Sequence, residues 1–237
     1  MQGRCALTLA MALKVISSLA VKAPYLEVLP NFERQSKQKI ETEWVGMADI
    51  RKRMLAGETA DAVIGSSGLI EDLMRTGSLD SRTRVDIAKS GVGAAVRKGA
   101  KKPDIRSVDA LKAALRAAKS IVYSSGPSGV YLAELFQRLG LEQELKAKAN
   151  QAPPGVLVGE LVARGQFELC FQQVPELRQV AGIDYVGPLP AEVQLVTVFC
   201  GGVHAKASDA KTALKWLKYL RSRDAEPAIR KHGLEPA

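Results

Sequence analysis

Strand and helix patterns alternate along this chain, and the alternation limits the folds that it can adopt. In the first part, three apolar strand patterns are each followed by an amphipathic helical pattern: 14–17 then 24–35, 39–44 then 48–55, and 60–65 then 69–74. A β-α-β-α-β-α order predicts a mostly parallel sheet covered by helices, because neighbouring parallel strands need a crossover connection that is usually a helix.

A second alternating series follows a glycine-containing strand pattern at 88–97. Its helical patterns lie at 108–118, 128–139, 156–163 and 211–220, and its strand patterns at 121–123, 167–171 and 193–199. No low-complexity linker separates the two series, so we predict two α/β lobes joined by strands, with a ligand cleft between them. The predicted division assigns 13–87 and 195–237 to lobe 1 and 88–194 to lobe 2.

Residues 1–12 have features of a secretory signal remnant. Arg4 supplies a positive charge, a short apolar run follows at 5–10, and Ala10 and Ala12 form the small-x-small pattern that suits signal peptidase. The alternative is an ordinary first strand or tail. We favour the signal, which predicts a periplasmic location.

The charge balance suggests an anionic partner. Lys and Arg total 34 and Asp and Glu total 25, which gives a formal net charge of +9. Such a balance suits nucleic acid, an anionic membrane or a small anion. The basic residues are spread along the chain without a known nucleic-acid motif, so we predict no nucleic-acid partner. No run reaches the roughly 18 apolar residues of a membrane span.

Metal and thiol chemistry have little support in the sequence. The cysteine count of three is odd and low, which argues against a disulfide framework, and the strand patterns around Cys170 and Cys200 predict that both are buried. Neither His204 nor His232 has metal-ligand spacing to other ligating residues. Asp61 precedes a buried strand pattern and is predicted to be structural. We predict no metal and no cofactor.

Small polar loops at strand ends are the candidate binding elements. Serine pairs stand at 17–18 and 66–67, a Ser-Ser-Gly-Pro-Ser-Gly loop at 124–129 and a Pro-Pro-Gly loop at 153–155. In α/β sheets, ligands bind beyond the carboxyl ends of strands, where helix N-termini offer N–H groups and partial positive charge. Each serine alone is also a typical helix N-cap, but their occurrence on both predicted lobes favours a small-anion site.

Several of these stretches resemble the molybdate-binding proteins of ABC importers. The matching residues are 14–18, 58–66, 128–131, 218–220 and 229–234. The resemblance implies a type II periplasmic-binding-protein fold, whose two lobes close on an oxyanion held by hydroxyl and backbone N–H groups. It also implies a membrane permease as partner, and we predict a monomer.

Transferred by position, the resemblance places the ligand between both lobes. A family serine falls at Met47, where this chain has no hydroxyl, and a family tyrosine falls at Gln173. Neighbouring Gln172 adds a second amide, and amides suit carboxylates or a larger polar ligand. The predicted ligand-binding residues are Ser17, Ser18, Met47, Ser66, Ser67, Ser125, Ser128, Gly129, Gly155, Val156, Gln172 and Gln173.

Residues 171–177 and 186–194 resemble a branch of this superfamily that includes aconitate isomerase. We favour a solute-binding protein of an ABC importer that binds a molybdate-like oxyanion or a di- or tricarboxylate. The alternative is an enzyme that isomerises aconitate by proton transfer, for which a serine hydroxyl, Tyr131 or Glu192 is the candidate base. The effector half of a regulator ranks last, because no segment is left to form a DNA-binding helix pair.

Overall fold

The computed structural model describes residues 12–237. Its strands are β1 (Leu13–Ser18), β2 (Ile40–Val45), β3 (Ala62–Ser66), β4 (Val85–Arg97), β5 (Ile121–Tyr123), β6 (Ala149–Gln151), β7 (Leu169–Gln173), β8 (Ile183–Pro188), β9 (Val196–Val203) and β10 (Glu235–Pro236). Its helices are α1 (Lys22–Ser36), α2 (Met47–Leu55), α3 (Ser67–Arg75), α4 (Val108–Ala117), α5 (Pro127–Arg138), α6 (Glu142–Leu145), α7 (Val158–Ala163), α8 (Val174–Arg178), α9 (Ala210–Leu220) and α10 (Glu226–Lys231). The predicted signal remnant lies almost wholly outside the described residues.

The strands form one mixed sheet with the order β2-β1-β3-β9-β4-β7-β5-β6. At one end, β1 is parallel to β2 and β3; at the other end, β5 is parallel to β6 and β7. The antiparallel strands β9 and β4 join these two parallel groups. Two parallel α/β units linked through long strands confirm the two-lobed fold predicted from the alternation.

Strand β4 passes from one half of the sheet to the other. Residues 85–91 pair with β9 and residues 92–96 pair with β7. At the change of partner, the Gln194 side chain bonds the Val92 backbone: its oxygen accepts the Val92 N–H at 2.7 Å and its nitrogen donates to the Val92 carbonyl at 3.0 Å. The lobe boundaries at 87/88 and 194/195 remain a prediction, and both lie within a few residues of this junction.

Separate apolar cores stabilise the two halves. In the first, Tyr25 and Phe32 of α1 pack on Trp216 of α9, with ring centroids 4.7 and 4.8 Å from that of Trp216. In the second, Leu135 and Phe136 of α5 pack against the β4–β7–β5 part of the sheet. Tyr25 and Phe32 lie on the apolar stripe of the helical pattern at 24–35, whereas Leu26 of the same pattern is exposed.

Some predicted bounds shift, and five elements were not predicted. The strand predicted at 167–171 is β7 at Leu169–Gln173, and α7 begins two residues later than predicted. Strands β6, β8 and β10 and helices α6 and α8 had no clear pattern. For β6 and β8 the cause is their partial exposure, since neither strand shows a buried-exposed alternation. Cys170 and Cys200 are buried on β7 and β9, as predicted.

Candidate functional site

A cavity of about 60 Å³ lies where loops from both halves of the sheet meet. Roughly 10–15 Å³ is enough for one water molecule, so the cavity has room for a small polyatomic ligand. Its walls come from the loop after β1, the loop between β2 and α2, the loop between β5 and α5, the loop before α7, and the junction of β7 and α8. These are carboxyl ends of parallel strands, the edge at which α/β proteins bind ligands.

Three of the helices that open at this cavity begin without a side-chain cap. The N-cap residues are Gly46 for α2, Gly126 for α5 and Gln173 for α8, and none of these side chains accepts a backbone hydrogen bond. The first N–H groups of a helix have no partner inside the helix and carry partial positive charge. The cavity therefore offers an anion backbone donors from both halves of the fold.

The two halves contact each other across the cavity at a pair of glycines. A β-carbon added to Gly46 would lie 3.2 Å from the Gly155 nitrogen, so the two loops are already in close contact. Gly155 itself has a φ of +79°, a conformation that favours glycine. In the described conformation, the loops of the two halves are therefore in contact beside the cavity.

The structure brings most of the predicted site residues together. Those that line the cavity are Ser18, Met47, Ser125, Ser128, Gly155, Val156, Gln172 and Gln173. The other four predicted residues do not line the cavity. Ser17 is fully buried and its hydroxyl donates to the Ser18 carbonyl at 3.3 Å. Ser66 and Ser67 open α3 outside the cavity wall. Gly129 packs against the Ser124 backbone, where no side chain would fit.

The two glutamines use much of their hydrogen-bonding capacity on the protein itself. The Gln172 oxygen accepts the Val158 N–H at 2.9 Å, and its nitrogen donates to the Val156 carbonyl at 3.4 Å. The Gln173 amide is satisfied when its oxygen accepts the Thr197 hydroxyl at 2.8 Å and its nitrogen donates to the Ser90 hydroxyl at 2.9 Å. Gln172 thus fixes the loop before α7, and Gln173 ties β7 to β4 and β9.

Glu176 lines the cavity and was missed by the sequence analysis. It lies in the first turn of α8, half-buried. Burial raises the pKa of its carboxyl to about 7, while hydrogen bonds with Gln172 and the Gln173 backbone act in the opposite direction. The signal that could have revealed it is Pro175, which favours the first turn of a helix and so places Glu176 just beyond the carboxyl end of β7.

The cavity wall carries no basic side chain. Among the residues that the structure describes, no lysine, arginine or histidine lines it, and Glu176 is its one carboxyl group. The two other residues proposed as a base lie elsewhere: the Tyr131 hydroxyl donates to the Val193 carbonyl at 2.8 Å, and Glu192 is exposed in a turn. The polar groups that the wall offers to a ligand are therefore N–H, hydroxyl and amide groups and one carboxyl.

Neither a metal-ligand cluster nor a helix suited to crossing a membrane occurs in the described chain. Within residues 12–237 no cluster of His, Cys, Asp and Glu has the arrangement of a metal site, and no helix is long and apolar enough to cross a membrane. Asp61 has the structural role predicted for it, since its carboxylate accepts the N–H groups of Lys14 and Ser208 at 2.8 and 2.7 Å.

Comparison with known proteins agrees with this architecture. The chain is 38% identical over 230 residues to an aconitate isomerase from Pseudomonas sp, covering 94% of this chain and 87% of that protein. The periplasmic molybdate-binding protein of Azotobacter vinelandii has the same fold, with a TM-score of 0.78, 16% identity and coverage of 94% and 98% of the two chains. A sulfate-binding protein from Mycobacterium tuberculosis gives a TM-score of 0.78 at 18% identity, with 96% and 87% covered. The profile of the bacterial extracellular solute-binding proteins matches residues 13–235, and the chain belongs to that family.

Proposed function

We propose that this chain is a solute-binding protein that closes on a small organic polyanion with carboxylate groups. The observation that supports the proposal is the cavity into which uncapped helix N-termini open from both halves of the fold. Backbone N–H groups and hydroxyls suit carboxylate oxygens without a full counter-charge.

A carboxylate ligand fits this cavity better than molybdate for two reasons. Met47 occupies the wall at the position where the molybdate-binding proteins are expected to have a serine, so one hydroxyl donor is missing. The similarity to an aconitate isomerase also supports a polycarboxylate.

Calorimetric titration tests this proposal. We expect trans-aconitate or citrate to bind with micromolar or tighter affinity, and molybdate and sulfate to bind at least about 100-fold more weakly, a difference of about 2.7 kcal/mol. Replacing the half-buried cavity residue Ser125 by alanine should weaken carboxylate binding about tenfold. The exposed Ser81→Ala variant is the matched control. Failure of all four anions to bind would refute the proposal.

The family is extracytoplasmic, and we assign this chain the corresponding role in an ABC importer of the periplasm. Ligand binding would stabilise the closed form, which then presents both lobes to a membrane permease. Small-angle scattering with and without ligand tests the first step: the radius of gyration should fall when the ligand is added. An unchanged radius at saturating ligand would count against a receptor that signals by closure.

An aconitate-isomerising enzyme is the second candidate, and Glu176 is the observation that favours it. A carboxyl with a pKa of about 7 in the wall of a cavity suits general acid–base catalysis at neutral pH. The ionised carboxylate would take a proton from the methylene carbon of trans-aconitate as the double bond moves. The proton would then return to the former vinyl carbon, which regenerates the carboxylate.

Proton nuclear magnetic resonance of trans-aconitate incubated with the protein separates the enzyme from the receptor. An isomerase should form the cis isomer, and Glu176→Gln should lose this activity at least about 1,000-fold, within the range that general acid–base catalysis contributes. Glu192→Gln removes an exposed carboxylate outside the cavity and should retain full activity. Binding without any conversion would leave the receptor function alone.

A further inference from the structure

The charges in the cavity wall are unfavourable for a bound anion. In the part of the chain that the structure describes, Glu176 is the one carboxyl in the wall, and no cationic side chain lies there to offset it. Two like charges in a partly desolvated site repel each other, and a proton on one of them removes the repulsion.

We propose that this cavity binds its anion together with one proton, which is taken up by the Glu176 carboxyl. The protonated carboxyl then changes from an acceptor that repels the ligand to an O–H donor that can bond a ligand oxygen. This inference rests on the proposed anion-binding function and makes Glu176 the residue that determines its pH dependence. It does not require turnover.

The groups around α8 leave Glu176 without a compensating cation. The helix packs against β4, β7, β8, α7 and the turn at Leu19–Val21, and the turn carries no titratable side chain. The charged residues of α8 and of these neighbours are Asp86, Lys89, Arg97, Glu160, Arg178 and Asp184. Arg178, on α8 itself, lies over the Tyr185 ring, 5.4 Å from its centroid, and Cys170 is buried on β7.

The immediate neighbours of Glu176 are neutral. Burial raises the pKa of the carboxyl, and the groups that act in the opposite direction are the Gln172 side chain and the Gln173 backbone. The Gln172 amide is anchored to the backbone of Val156 and Val158, so it stays in place when the carboxyl gains or loses its proton. Protonation is therefore the available way to neutralise Glu176 when an anion enters.

Calorimetric titration of the full chain measures how many protons are taken up when the ligand binds. The probes are propane-1,2,3-tricarboxylate, which has no double bond to move, and sulfate. At pH 8, titrations in two buffers with different ionisation enthalpies should show uptake of nearly one proton per ligand bound. Between pH 7.5 and 9 the dissociation constant should rise about tenfold per pH unit, as linkage to one proton requires.

Variants of the protein identify the residue that takes up the proton. Glu176→Gln mimics the protonated carboxyl, so its proton uptake should be zero and its dissociation constant should change less than about twofold over the same range. Glu192→Gln, an exposed carboxylate outside the cavity, should behave as the wild type does. If Glu176→Gln does not fold, Glu176→Ala takes its place for the assignment, and the wild-type buffer comparison still tests whether a proton is taken up at all.

The outcomes separate this inference from the function on which it rests. A probe that binds without proton uptake overturns the inference and leaves anion binding intact. Uptake that persists unchanged in a folded Glu176→Gln protein also overturns it, because another group would then take the proton. If neither probe binds at any pH from 6 to 9, both the inference and the proposed anion binding fail.

Discussion

The Gly46 α-carbon faces the backbone of Gly155 so closely that a β-carbon on Gly46 would lie 3.2 Å from the Gly155 nitrogen. These residues belong to different halves of the fold, one at the start of α2 and the other in the loop before α7. Their contact requires the two halves of the fold to lie close together. We therefore expect that a side chain introduced at position 46 would limit how closely the two halves can approach.

We predict that Gly46→Ala weakens ligand binding about tenfold, or roughly 1.4 kcal/mol, because the added methyl holds the halves apart. Gly46 has a φ of −69°, which alanine adopts without strain, so the melting temperature of the ligand-free protein should stay within about 2 °C of the wild type. Gly68→Ala, at an exposed helical glycine with open space around it, is the control for calorimetry. Wild-type affinity in Gly46→Ala would contradict the closed geometry.

Gln172 should act on binding through the loop before α7. Gln172→Ala removes the acceptor of the Val158 N–H and should lower the free energy of unfolding by about 1–3 kcal/mol, the cost of a buried group left unpaired. Ligand affinity should fall as well, because Gly155 and Val156 lose their anchor. Urea unfolding and calorimetry measure the two effects, with exposed Gln166→Ala as control. A variant that loses stability but retains full affinity would show that the loop does not bind the ligand.

Gln173→Ala should weaken binding more than Ser208→Ala does. Gln173 lines the cavity and connects β7 to Ser90 and Thr197, so its loss loosens the wall and the strand junction, at a cost of about tenfold in affinity. The Ser208 hydroxyl donates to Asp61 at 2.8 Å, outside the cavity wall, and its loss should change affinity less than about twofold. Equal dissociation constants for the two variants in the same titration would disprove the site assignment.

Asp61 should contribute stability that depends on pH. Burial tends to raise its pKa, but hydrogen bonds from Lys14, Ser208 and Asp209 hold the pKa below its usual value. A lowered folded-state pKa stabilises the protein above the ordinary value near 4, and this stabilisation is lost as the pH falls through the folded-state pKa. Asp61→Ala should therefore cost roughly 2–3 kcal/mol at pH 7 and less at pH 3.

Denaturant unfolding of Asp61→Ala at the two pH values checks this prediction. The exposed Asp224→Ala variant is the control and should change the free energy of unfolding by less than about 0.5 kcal/mol. An equal cost of Asp61→Ala at pH 7 and pH 3 would mean that the carboxylate charge is not what stabilises the contacts.

Most of the architecture could be predicted because burial leaves a local pattern. The mostly apolar stretch at 60–65 is typical of a buried strand and became β3, and the apolar stripe at 24–35 belongs to a helix packed against the core and became α1. The same logic located the cavity loops, since the carboxyl ends of neighbouring parallel strands meet at one edge of a sheet. Ser18, Ser125 and Ser128 were found in this way.

The sequence by itself determined the alternating α/β order, the two-lobed fold and the polar loops from which the cavity is built. Only the tertiary structure decided how the polar groups are used. Adjacent strand residues point to opposite faces, so Ser18 lines the cavity while Ser17 is buried behind it. Gln173 bonds Thr197 across 24 residues of sequence, and Glu176 shares the cavity wall with Ser18 and Gly46 from segments distant along the chain. Such contacts depend on how the chain packs, and no local periodicity records them.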